Sequence, residues 1–94
     1  METIIVICYD LRDFRYELID RNIRVPRIIG RVNVIDNIRY VAVTDISHMV
    51  GFRASLILWS ENARNFLPDF DNILLQIQRF CMAPFEKKEF KFGR

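Results

Sequence analysis

Arg21, Arg24, Arg27, Arg31 and Arg39 lie close together with a single acid, Asp36, among them, which gives that stretch a charge of +4. Lys87, Lys88, Lys91 and Arg94 face only Glu89 across residues 87–94, giving +3. The whole chain carries just +2. Any attraction for phosphate therefore rests on these two stretches rather than on the net charge. The series Arg21, Arg24, Arg27 and Arg31 reads in two ways, as a solvated surface or as phosphate or protein contacts. Arg53, Ser55, Asn62, Arg64 and Asn65 are of the side-chain types that hydrogen-bond base edges or phosphates. Residues 45–71, however, hold Asp45, Glu61, Asp69 and Asp71 against Arg53 and Arg64, a balance of −2. Phosphate contacts would then fall to Arg31 and Arg39 and to Lys87, Lys88 and Lys91.

Other chemistry has little to work with. Cys8 and Cys81 each sit in an apolar run, with no Cys-x-x-Cys spacing and one histidine, His48, so ligands for zinc are lacking. Both thiols read as small buried hydrophobes. His48 reads as an exposed residue without a role. A carboxylate cluster, nucleophile elbow and glycine-rich phosphate loop are all missing from the sequence, so no catalytic residue, metal or cofactor is expected.

These side chains must be positioned by a small fold. Ninety-four residues suffice for one core, and 51% hydrophobic residues exceed what a disordered chain carries. The apolar run 3–9 is far shorter than the roughly 20 residues of a membrane span. It is preceded by Glu2 where a signal peptide would be basic. A cytoplasmic protein, or a nuclear one in a eukaryotic host, is expected, with no membrane partner.

Residues 3–9 suit a strand buried on both faces. Asp10 caps a helix over 11–20 with Leu11, Phe14 and Leu18 inward. After Pro26, the run 27–35 alternates beyond Gly30, a candidate bulge. Asp36-Asn37 turns it into a second strand, Ile38 to Val43, as a hairpin. Thr44 or Asp45 caps a short helix with Ile46, Met49 and Val50, stopped by Gly51. A second helix over about 53–66 places Leu56, Trp59, Ala63 and Phe66 on one side, with Trp59 in the core. The two make a helix-turn-helix-like pair. Asp69 or Asp71 opens a third helix carrying Ile73, Leu74, Ile77, Phe80 and Cys81, closed by Pro84. Phe90 and Phe92 flank Lys91 as a short C-terminal strand or wing. The sum is a single α+β domain with an N-terminal strand, a β-hairpin and a three-helix segment.

Tyr40, Val41, Ala42, Asp45, Gly51 and Phe52, with the hairpin at residues 31–43, resemble the Bro-N domain of phage antirepressors and baculovirus repeated proteins. Thr44 and Trp59 echo the related KilA-N domain, although Ala42 replaces that family's asparagine. The resemblance covers residues 31–67. The stretch from Ile46 to Pro68, with Gly51, Leu56, Trp59, Glu61, Phe66 and Leu67, is also similar to the winged-helix head of MerR-type regulators, one residue short between glycine and tryptophan. Both resemblances imply double-stranded DNA as partner; the Bro-N/KilA-N one further implies a viral or phage transcriptional regulator or antirepressor with helix 53–66 in the major groove.

Two other readings use different residues. Tyr9-Asp10 and Asp13, with a βαββαβ order, resemble the opening of small ferredoxin-like CRISPR-associated proteins, in which such an Asp is implicated in metal binding. The rest of the chain does not follow that family. Phe66, Phe70, Phe80, Phe85, Phe90 and Phe92 are too many for so small a core, and they would suit binding to a host protein or a homodimer.

Overall fold

A computed structural model describes residues 1–27, 29–49 and 53–80, with the side chains of Met49, Gln78 and Phe80 outside the description. The chain is an α+β domain built on one four-stranded sheet. Strand β1 (Glu2–Ile7) is followed by helix α1 (Leu11–Asp20), strands β2 (Val32–Ile35) and β3 (Ile38–Val43), and a 3-10 turn (Ile46–Met49). Strand β4 (Leu56–Trp59) and helices α2 (Glu61–Phe66) and α3 (Phe70–Phe80) complete it. Sheet order is β2-β3-β1-β4, with β1 parallel to both β3 and β4, and β2 antiparallel to β3.

A strand with parallel neighbours on both sides is covered on both faces by its crossovers, which is why 3–7 can be a continuous apolar run. On one face Ile4, Val6 and Cys8 pack with Tyr40, Ala42 and Leu58 against Phe14 and Leu18 of α1. Ile23, Val25 and Ile29 of the following loop complete that cover. On the other face Ile5 and Ile7 pack with Val41, Val43 and Ile57 against Ala63 of α2 and Phe70, Ile73 and Ile77 of α3. We call these the α1 face and the α3 face. Among the described residues, no helix is long and apolar enough to cross a membrane.

Local chemistry sets several boundaries. Asp10 caps α1 by accepting from the Asp13 amide at 2.8 Å. The helix ends in a Schellman motif: Asn22, at φ 65°, donates to Ile19 O at 2.9 Å, and Ile23 donates to Leu18 O at 3.0 Å. Ile23 then folds onto the core beside Leu18. Asp36 and Asn37 take φ 51° and 67°, the type I′ geometry that matches hairpin twist. Asp69 O accepts from Ile73 N at 2.9 Å where α3 begins.

Several expectations are corrected. Residues 53–66 are not one helix. Leu56–Trp59 is a strand whose side chains alternate, Leu56 and Leu58 toward the α1 face and Ile57 and Trp59 toward the α3 face. Four consecutive apolar residues satisfy helical and strand spacing alike, and burial on both sides decides for the strand. With residues 56–59 in the sheet, the helix-turn-helix-like pair is not formed. Trp59 is half-buried and packs against the core, edge-on to Phe70 with ring centroids 6.0 Å apart. The helix at 46 is a single 3-10 turn. The hairpin strand begins at Val32, so Gly30 lies before it and is not a bulge. The first three strands and α1 follow the split βαβ path, but β4 runs parallel to β1, unlike a ferredoxin-like sheet. Val50, Gly51, Phe52, Cys81, Pro84 and the strand expected at Phe90 to Phe92 lie outside the described residues.

The left-handed backbone at Asn22 gives a direct check. Asn22→Gly, which removes the Cβ strain, should raise stability by about 0.5–1 kcal/mol, and the β-branched Asn22→Val should lower it. Urea denaturation followed by circular dichroism measures both.

Candidate nucleic-acid interface

The parallel strands end together at one edge of the sheet, where α1 leaves β1 on one face and α2 leaves β4 on the other. Ligands of open α/β sheets gather at such a divergence. Here it is filled by a clamp. Asp13, only 8% exposed, accepts from Ser60 Oγ at 2.5 Å, from Tyr9 N at 2.8 Å and from Asn62 Nδ2 at 3.0 Å. Ser60 in turn caps α2 by accepting from Ala63 N at 2.9 Å. Each polar group is thus satisfied within the chain, and the clamp ties the starts of α1 and α2 to the ends of β1 and β4. Beside it, burial pushes the Cys8 thiol far above its ordinary range, with the Asp13 charge adding to the effect. It is a buried, unreactive hydrophobe, as the sequence suggests.

The end of β3 contributes a smaller bracket. His48 is half-buried, not a free surface residue, and its Nδ1 accepts from Thr44 N at 3.2 Å. Among the described residues no group of three His, Cys, Asp or Glu side chains could hold a metal.

The base-reading set expected on a helix is split by β4. Arg53 and Ser55 precede the strand, while Asn62, Arg64 and Asn65 follow it, and four strand residues at about 3.3 Å each separate the groups by more than 10 Å. Ser55 Oγ donates to Glu2 Oε2 at 2.8 Å, and Asn62 donates to Asp13. Both side chains are thus occupied inside the chain. Arg53, Arg64 and Asn65 are exposed.

The two hairpin arginines also diverge. Arg39 lies opposite Val34, on the same side as Val41 and Val43, and so belongs to the α3 face, where it is half-buried. Arg31 extends the ladder through Ala42 N donating to Arg31 O at 2.8 Å, which places it on the α1 face. Lys87, Lys88 and Lys91 lie outside the described residues. Of the aromatics, Phe70 is core and Phe66 is 64% exposed, and the side chains of Phe80, Phe85, Phe90 and Phe92 lie outside the description.

What the fold does gather is charge on the α1 face. The layer of residues 11–31 carries six arginines (Arg12, Arg15, Arg21, Arg24, Arg27, Arg31) against Asp13, Glu17 and Asp20, a net +3. Asp13 and Glu17 are buried, Asp13 in the clamp and Glu17 against Arg21 at 2.8 Å. Arg12, Arg24, Arg27 and Arg31 are exposed, as is Tyr16 at 58%. Arg15 Nη1 donates to Pro26 O at 2.8 Å and pins the arginine-bearing loop to the helix. The opposite layer, residues 61–80, has Glu61, Asp69 and Asp71 against Arg64 and Arg79, a net −1. Sequence reasoning passed over Arg12, Arg15 and Tyr16, although inward Phe14 and Leu18 already imply that they point outward.

No family model, curated protein or solved structure matches this chain.

If the clamp is structural, Asp13→Ala should lower stability by roughly 3 kcal/mol, since it strips a charge-assisted bond from buried Ser60 and the acceptor from the Tyr9 amide and Asn62 as well. Exposed Asn62, replaced by Ala, should cost under about 1 kcal/mol. Thermal melts of the two variants separate the cases; equal losses would contradict the clamp.

Proposed function

We propose that this chain binds double-stranded DNA through its α1 face, with Arg12, Arg24, Arg27 and Arg31 holding phosphates. The observation that carries the reading is the charge difference between the two helical segments that cover the sheet, +3 over residues 11–31 on the α1 face and −1 over residues 61–80 on the α3 face. A small domain whose covering segments differ in sign in this way offers the basic segment to a polyanion. Arginine suits this work because its planar fork meets phosphate oxygens bidentately and keeps its charge at any physiological pH.

Such binding is general rather than base-specific. Phosphate contacts position a protein on DNA without reading sequence, and the residue types that read bases are here divided between the two ends of β4. The DNA partner expected from the Bro-N/KilA-N resemblance is retained, but carried by different side chains. A regulatory role in a virus or phage would then need the sequence reading to come from elsewhere or from DNA shape.

Fluorescence anisotropy with a mixed-sequence duplex at about 50 and 200 mM salt tests the reading. Binding should weaken steeply over that range. Arg27→Ala and Arg31→Ala should each weaken all duplexes alike and reduce the salt slope by about 0.9. Arg64→Ala and Arg79→Ala, on the opposite layer, should leave affinity within a factor of two, on the order expected of residues off the interface. Binding unaffected by Arg27→Ala and Arg31→Ala, or absent at both salt concentrations, would overturn it.

A further inference from the structure

Among the described residues strand β2 is one edge of the sheet, and its hydrogen-bonding groups alternate. Because Ala42 N donates to Arg31 O directly across the ladder, Arg31, Asn33 and Ile35 form the paired positions with β3. The amides and carbonyls of Val32 and Val34 then point away from β3, toward the open side of the strand. The same two residues expose their side chains, Val32 at 43% and Val34 at 56%. Soluble proteins blunt such edges with lysine, proline or a bulge, and Val32-Asn33-Val34-Ile35 has none of these.

We infer that β2 pairs antiparallel with β2 of a second copy, joining two sheets into one of eight strands. The strand is self-complementary in one register. A two-fold axis perpendicular to the sheet requires facing residues to lie on the same side. With Asn33 opposite Asn33 of the second copy, Val32 faces Val34 of that copy and Val34 faces its Val32. These are the positions whose backbone groups are open, so each facing valine pair exchanges two hydrogen bonds. All four exposed valines then meet on the α3 face as two cross-strand pairs. At each end Arg31 of one copy comes beside the turn holding Asp36 of the other, and the two charges are opposite. Asp36 and Arg31 are both exposed in the single chain.

The axis also preserves faces, so the α1 layers of both copies lie on one side of the joined sheet. A duplex that engages that side would meet two arginine sets related by symmetry. The dimer itself does not rest on the DNA-binding reading. Pairing of one short strand makes an interface below about 1,200 Å², the size class of weak and transient association.

The test is sedimentation equilibrium of the full chain between about 1 and 300 µM without DNA, a range spanning weak association. The mass should rise from monomer toward dimer for the unmodified chain and stay monomeric for Val34→Lys, with an unchanged circular dichroism spectrum. Asn33→Cys in a Cys81→Ser background should crosslink to its own copy under mild oxidation. Facing non-hydrogen-bonded residues have Cα atoms about 4.5 Å apart, within disulfide reach. A monomer at all concentrations, a dimer that survives Val34→Lys, or no crosslink through Asn33→Cys would each overturn the pairing. Because DNA is absent throughout, failure here leaves the anisotropy result standing, and the converse also holds.

Discussion

Strand β1 has parallel neighbours on both sides, and most of the architecture follows from that. Parallel strands cannot be joined by a tight turn, so the chain must cross the sheet between β1 and β3 and again between β3 and β4. The first crossing lays α1 and the 21–31 loop over Ile4, Val6 and Cys8. The second carries the 3-10 turn, and α2 and α3 then close over Ile5 and Ile7. The Asp13–Ser60 bond, between residues distant in sequence, joins the two layers at the strand ends. Two separate sequence segments thus become two separate surfaces, and the unequal charges of those segments become the unequal charges of the two sides.

What could be read in advance was local. The Asp10 cap, the Asp36-Asn37 turn and the two-sided burial of the run 3–9, which holds as far as Cys8 and leaves Tyr9 exposed, each follow from a few adjacent residues, and the α+β class follows from them together. Strand β4 was not legible, because Leu56-Ile57-Leu58-Trp59 meets either periodicity and its state depends on pairing with β1, more than fifty residues away. The Asp13 clamp was equally hidden, since nothing near Asp13 announces Ser60 or Asn62. The candidate site was legible in part: the arginines from 21 to 31 stood out as a series, but their company with Arg12 and Arg15 depends on how the loop lies across α1.

The same distinction separates the two functional surfaces. Binding of a polyanion asks only for exposed cations on one side, and a layer built from a helix and its following loop can supply them without fine positioning. Pairing along β2 asks for backbone groups in register, and the type I′ turn fixes that register by setting which positions of the strand face β3. One surface depends on composition and the other on geometry, and they meet at Arg31, the last residue of the basic loop and the first of the strand's ladder.

The most direct test of the account is a two-dimensional NMR titration of the labelled chain with a mixed-sequence duplex at low salt. Amide shift changes concentrated in residues 12–31, with those of α2 and α3 nearly still, are the result the account predicts. Changes centred on α2 and α3, or none at all from a folded sample, would contradict it.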